Sequence, residues 1–287
     1  MNPRKILIKL ATTFFIFLLL WGIFYWQSKE EKGKLVVNFF DVGQGDSILI
    51  KTPNNQKILI DGGPDNGVLA KLGRSLPFYD KEIDLMILTH PHSDHLVGLV
   101  EVLKRYKVKK IISTGVIHTT PEYLAWLEEI KEQKIPLEIA IAGQVLDFGN
   151  ETKMEILYPL ENLAGQSVDD LNNTSIVSKL TFKDNSFLFM GDAEATAEEK
   201  IIASGADLKA DILKIGHHGS KNATSENFLE KVDPQSAVIS VGAKNKFGHP
   251  SGLVVNRLKR EGTEILRTDI EGDIKFLGDG EAFVKAY

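Results

Sequence analysis

Thr89-His90-Pro91-His92-Ser93-Asp94-His95 places three imidazoles and a carboxylate, at His90, His92, Asp94 and His95, within six consecutive positions. The stretch follows the apolar run Leu85-Met86-Ile87-Leu88, which has the length and composition of a buried strand. It precedes residues 96–106, where Leu96, Leu99, Val100 and Leu103 recur at helical spacing, so it lies on a strand-to-helix loop. Four ligand groups crowded at a strand end repel one another when charged, and a divalent cation satisfies all of them. A merely polar, exposed loop gives no reason for three of the chain's seven histidines to fall here.

Outward from this loop the same arrangement recurs. Residues 35–40, 47–51 and 57–61 read as three short strands in a meander, joined first by Asp41-Val42-Gly43-Gln44-Gly45-Asp46 and closed by Asp61. The glycines permit a tight junction that presents Gln44 and Asp46. A strand at 108–113, a helix at 121–133, strands at 137–140, 144–148 and 154–158, and a polar loop at 161–173 follow. In the second half, strands at 175–182 and 186–190 lead to Asp192, and a helix runs to about Ser204. A strand at 210–215 delivers His217 and His218, and one at 236–241 delivers a loop carrying His249. A helix at 252–260 and strands at 264–267 and 273–277 finish the chain, predicting two packed sheets with helices outside. Phe39, Phe40, Phe187 and Phe189 read as core, and His118 as a surface histidine.

The N-terminus has another character. Residues 1–9 form a short basic tail with Arg4, Lys5 and Lys9; residues 10–26 carry no charge and end in Phe24-Tyr25-Trp26, the aromatic belt of a bilayer interface. With no small-x-small cleavage site before the linker at 27–33, the segment reads as a retained transmembrane anchor. The expectation is a single-pass protein of the cell membrane with its body, residues 34–287, outside the cytoplasm. The formal charge of −5 gives the whole chain no attraction for nucleic acid, so any such contact is local or carried by metal ions. The absence of cysteine excludes disulfides, thiolate zinc sites and cysteine nucleophiles.

His90-x-His92-x-Asp94-His95, together with Asp61 and Asp192, resembles the metallo-beta-lactamase fold superfamily. More narrowly, residues 40–47, the His217-His218-Gly219-Ser220 loop and Gly248-His249-Pro250-Ser251 are similar to the hydrolase domain of ComEC-type DNA-uptake proteins. The resemblance runs over roughly residues 34–277. It implies an α+β fold, a four-layer αββα sandwich with a dinuclear metal centre at one edge. His90 and His92 would hold one ion, Asp94 and His95 the other, with Asp192 bridging and His217 completing the second site. Asp61 would orient a ligand imidazole from behind. Ser220 and Lys221 are placed to bind a substrate phosphate, and Asp94, Lys221, His218 and His249 are the catalytic candidates. His218 is open as ligand, proton donor or packed residue, and Asp46 and Gln44 as site or turn residues.

The chain departs from the superfamily at its third motif, where Asn172-Asn173 stand in place of a histidine. If Asn173, or Asn172 beside it, occupies that position, an amide oxygen and waters favour Mn²⁺ or Mg²⁺ over Zn²⁺. The many membrane helices of a full uptake channel are also missing. The implied function is a membrane-anchored, metal-dependent phosphodiesterase or nuclease acting on extracellular DNA. The alternatives are a hydrolase of a small ester or lactone, and a non-catalytic module serving a separate DNA-uptake channel.

Overall fold

The structure is a computed structural model that describes residues 3–286, apart from the side chains of residues 3, 17, 19–21 and 23–30. Two sheets form its centre. The first has eight strands in the order Phe283–Ala286, Ile274–Gly278, Leu35–Phe39, Ile48–Lys51, Lys57–Ile60, Leu85–Leu88, Ile111–Ser113 and Leu137–Ile139. The second has seven, in the order Glu264–Arg267, Ser236–Ile239, Ile212–Lys214, Asn185–Phe189, Val177–Phe182, Thr152–Tyr158 and Val145–Gly149. Each begins as an antiparallel meander and becomes parallel, at Lys57–Ile60 beside Leu85–Leu88 and at Asn185–Phe189 beside Ile212–Lys214.

Strand alternation builds the layers. Leu35, Val37 and Phe39 face the other sheet and pack with Phe187, Phe189 and Phe276, whereas Phe40 belongs to the opposite, helix-covered side. On that side Leu49, Leu59, Met86 and Leu88 meet helices Gly67–Ser75, Ser93–Leu103 and Pro121–Gln133. Leu188, Leu213, Ala237 and Ile239 meet helices Ala195–Ala203, Glu226–Val232 and Gly252–Arg260. The result is the expected αββα sandwich. Leu85–Leu88, a central parallel strand covered on both faces, reads as an unbroken apolar run. Gly98 and Gly62 let helix Ser93–Leu103 lie directly on its sheet, since a Cβ on Gly98 would collide with the Gly62 carbonyl.

Three features depart from expectation. The helix after the histidine loop starts at Ser93 rather than at 96, so Asp94 and His95 lie in its first turn. Helices Gly67–Ser75 and Glu226–Val232 were not expected; the first contains two glycines and has no side-chain cap, while Ser225 caps the second by accepting from the Phe228 N–H. At the N-terminus one helix runs Pro3–Glu31, so most of the expected linker is helical, and Gly33 at φ +76° follows its end. Among the described residues no helix is long and apolar enough to cross a membrane. The expected span at 10–26 falls partly on side chains outside the described residues; of those described, Leu10, Phe14, Phe15, Ile16 and Leu18 are exposed. Glu31 ties the helix end to the body through ion pairs with Lys51 and Lys275.

Candidate metal centre

Six loops leaving the C-terminal ends of strands meet at one edge, the place where open α/β sheets characteristically bind ligands. Asp61, at φ +56°, follows Lys57–Ile60 and is fully buried. Its carboxylate accepts from the Thr89 N–H at 2.8 Å, the Thr89 hydroxyl at 2.7 Å and His95 Nδ1 at 2.8 Å. This fixes the His95 ring and leaves Nε2 as its outward atom. Gly45 of the first junction lies so close to the backbone of Asp94 that no side chain fits, and the Asp46 N–H donates to the Asp94 carbonyl at 3.3 Å.

Asp192 is the hub. One of its oxygens, Oδ2, lies 3.3 Å from His95 Nε2, 3.5 Å from His218 Nε2, and 3.9 Å from both His90 Nε2 and His217 Nε2. Asp94 Oδ2 is 3.3 Å from His218 Nε2. Asp94, His95, Asp192 and His218 thus offer ligand atoms within 4.8 Å of one another. His90 Nε2 and His92 Nδ1 face each other at 2.9 Å beside them.

His217, expected to complete the second site, stands outside that group. Both histidines of the 217–218 turn are left-handed, at φ +44° and +52°, which turns successive side chains to different sides. His217 Nδ1 bonds to Glu194 Oε1 at 2.7 Å on the rim, while buried His218 bonds through Nδ1 to the Ser240 carbonyl at 2.9 Å and points Nε2 inward. Asn173 is likewise removed as a ligand, because its Oδ1 accepts from the Glu194 and Ala197 N–H groups at 3.0 and 3.2 Å and so caps a helix. Asn172 keeps a buried Oδ1 without a partner, and its amide nitrogen lies 3.3 Å from His217 Nδ1.

The phosphate-binding pair divides. Ser220 is buried and spends its hydroxyl on Glu194 at 3.4 Å, so it shapes the loop, whereas Lys221 is exposed. His249 is half-buried, its ring 5.5 Å from that of His217. Gln44 accepts from the Gly242 N–H at 3.2 Å, tying the first junction to the loop that carries His249. His118 lies apart, against Tyr123.

Sequence reasoning missed Lys214. It is fully buried on strand Ile212–Lys214, donates to the Gly191 carbonyl at 3.0 Å and pairs with Asp46 beneath the centre. A lysine inside the apolar run Ile212-Leu213-Lys214-Ile215 was the available signal. Ser175 was also missed; it lies 3.3 Å from His90 Nδ1 and accepts from the Asp192 N–H.

Burial pushes the carboxyls of Asp46, Asp94 and Asp192 up, but neighbouring cations override it and hold all three below the usual range. For Asp46 the leading cation is Lys214; for Asp192 it is His218, then His95. Burial lowers His90 well below its ordinary value and also lowers His92. Against the same burial, Asp192 and Asp61 push His95 well up, and Asp192, Asp46 and Asp94 push His218 up to about 9. Asp61, buried and shielded from solvent, is raised.

These residues fit a divalent cation. Asp192 Oδ1, His95 Nε2 and His218 Nε2 are buried without a hydrogen-bond partner, and the groups bearing them are within a few ångströms of one another. Unpartnered buried polar atoms are costly and uncommon, and a cation satisfies carboxylate and imidazole donors together. It would also take the place of the protons that the carboxylates otherwise hold on His95 and His218.

Residues 40–243 match the family model described as Metallo-beta-lactamase superfamily. The chain belongs to that superfamily. Among curated relatives it is 31% identical to ComE operon protein 3 of Bacillus subtilis (strain 168) over 260 residues, 84% of this chain and 32% of that protein. It is also 31% identical to Competence protein ComA of Neisseria gonorrhoeae, over 89% of this chain and 34% of that protein. The chain therefore spans about a third of the length of these relatives. Among solved structures, the metallo-beta-lactamase fold protein YhfI from Bacillus subtilis superposes with a TM-score of 0.56 at 14% identity, over 85% of this chain and all of that one, which shows the shared fold. Membership in this superfamily, with its frequently dinuclear centres, makes the chain a metal-dependent hydrolase by fold.

Proposed function

We propose that this chain is a phosphodiesterase that cleaves DNA outside the cytoplasm, tethered to the membrane by its N-terminal helix. The observation that carries the reading is the convergence of Asp94, His95, Asp192 and His218 beside the His90–His92 pair, two adjoining ligand sets sharing one carboxylate. Two cations bound there would supply Lewis acidity at a phosphoryl oxygen and lower the pKa of a water. The protein's own part is positional. Asp61 and Ser240 hold the His95 and His218 rings, Lys214 neutralises Asp46, and the buried walls exclude solvent. His249, held low by burial and by the neighbouring charge of His217 and His218, offers a neutral ring at the rim to a phosphate oxygen. Lys221 offers a cationic ammonium group.

DNA as substrate is supported by the competence names of the relatives, and the anchor by the uncharged residues 10–26 and the exposed apolar side chains of the helix. The hard-metal preference rests on Asn172, whose buried amide oxygen is without a partner beside His217 and is a harder donor than the histidine it replaces.

The test is hydrolysis by the full chain in detergent, chelator-treated and reloaded with Mn²⁺, Mg²⁺ or Zn²⁺. Single-stranded DNA, bis(p-nitrophenyl) phosphate and a lactone are the substrates. Cleavage of DNA with Mn²⁺ or Mg²⁺ is expected. Turnover of the lactone alone would replace the reading with a small-ester hydrolase, and no turnover of any substrate would replace it with a non-catalytic module.

A further inference from the structure

The loop from Gly242 to Pro250 lies directly beside the centre and is used only in part by the chemistry above. Its tip, Phe247, is 70% exposed. The Phe247 ring stacks on His249 with centroids 5.8 Å apart and planes 18° from parallel; His249 is 5.5 Å from His217, and His217 is 6.0 Å from His218. Four rings therefore lead from open solvent to a ligand of the centre.

The loop is braced. Asn245 donates from its amide nitrogen to the carbonyls of Gly242 and His249 at 2.9 and 2.7 Å, and accepts through Oδ1 from the N–H groups of Phe247 and His249 at 3.2 and 3.0 Å. Gln44 holds its base at Gly242. An aromatic ring that such bracing holds out in water is pre-organised for an external partner. Phe78 and Tyr79, the other large exposed aromatic rings described outside the N-terminal helix, differ in that they pack edge-to-face on each other at 5.3 Å.

The charge of the loop points to the same class of partner. Between Gly242 and Ser251 it carries Lys244 and Lys246, both exposed, and no carboxylate, in a chain whose formal charge is −5. An aromatic face flanked by cations, open to solvent and adjoining a phosphodiesterase centre, is the arrangement by which single strands are held without sequence preference. We propose that Phe247 is a stacking platform for a nucleobase flanking the reacting phosphate, with Lys244 and Lys246 along the backbone, selecting single-stranded over duplex nucleic acid. This rests on the phosphodiesterase reading and names its substrate subsite. A base paired within a duplex keeps both faces stacked on its neighbours, so only an unpaired base can take the platform.

The test separates binding from turnover. The full chain in detergent and chelator is titrated with oligothymidylate, with an abasic strand of equal length, and with the corresponding duplex. The readout is the fluorescence that Phe247→Trp adds over wild type. Quenching by oligothymidylate and little by the other two is expected, and Phe247→Ala should weaken oligothymidylate binding by about 5- to 150-fold, the range of one base–aromatic stack. Equal quenching by all three, no quenching, or unchanged affinity in Phe247→Ala would overturn the platform. DNA cleavage without quenching would defeat this subsite alone. Quenching without cleavage would leave the subsite standing and defeat the phosphodiesterase reading.

Discussion

The two halves of the sandwich bring equivalent loops to the same edge and use them differently. The first half ends its strands in Asp61 and in the 90–95 loop, and here each group is held by another: Thr89 and His95 bond to Asp61, and Gly45 seats against Asp94. The second half ends its strands in Asp192, in the left-handed His217-His218 turn and in the 242–250 loop, where Asn245 holds an aromatic tip out in solvent. One half is a closed clamp, and the other supplies the hub and the exposed loop proposed to meet substrate. A fold that duplicates its topology can thus draw metal ligands from both sets of loops while leaving only one of them with an exposed tip beside the centre.

The sharpest break of this comparison lies within the second half itself. His218→Ala should abolish hydrolysis, because it removes an inward-pointing ligand, whereas His217→Ala should retain measurable turnover because that ring is on the rim against Glu194. Paired turnover assays decide it, and the opposite ranking would restore His217 as the ligand. Next in size is Lys214→Met. It leaves Asp46 buried without its cation and should cost about 3–5 kcal/mol of stability in denaturant titration. Stability equal to wild type would show that Asp46 takes up a proton or turns to another partner.

A smaller effect separates the two asparagines. Asn173→Ala should cost about 1–2 kcal/mol by unseating the cap on helix Ala195–Ala203, with metal preference unchanged. Asn172→His should leave stability nearly unchanged and move turnover toward Zn²⁺. Identical metal profiles for Asn172→His and wild type would remove Asn172 from the centre.

The smallest effect is on the pH dependence of the metal-free protein. The pKa values of His218 and His95 are raised in the folded state, so their contribution is complete below the ordinary histidine value near 6.5, and that of His218 is lost as pH rises through about 9. The Tm of chelator-treated protein should therefore fall between roughly pH 7 and pH 10, and that of the metal-loaded protein should fall less. A flat or rising Tm in the metal-free protein would contradict the protonated His218.

Much of this was legible in the sequence, for identifiable reasons. Apolar runs 85–88 and 186–190 are strands buried on both faces, so composition alone marked them, and Asp61 and Asp192 stood at their expected strand ends. What could not be read was direction. Nothing in His217-His218 says that two successive left-handed residues turn the second ring inward, and nothing in Asn172-Asn173 says which amide caps a helix. Lys214 was hidden because its partner, Asp46, is 168 positions away and joins it only when the two sheets close.

The central claim is that both halves converge on one centre through Asp192. Its most direct test is metal content per chain, by elemental analysis after dialysis against Mn²⁺, for wild type and Asp192→Ala. Two ions per wild-type chain and fewer than one in Asp192→Ala are predicted, because Oδ2 lies within 3.9 Å of a nitrogen from each of His90, His95 and His218. Unchanged metal content in a folded Asp192→Ala would contradict the shared centre.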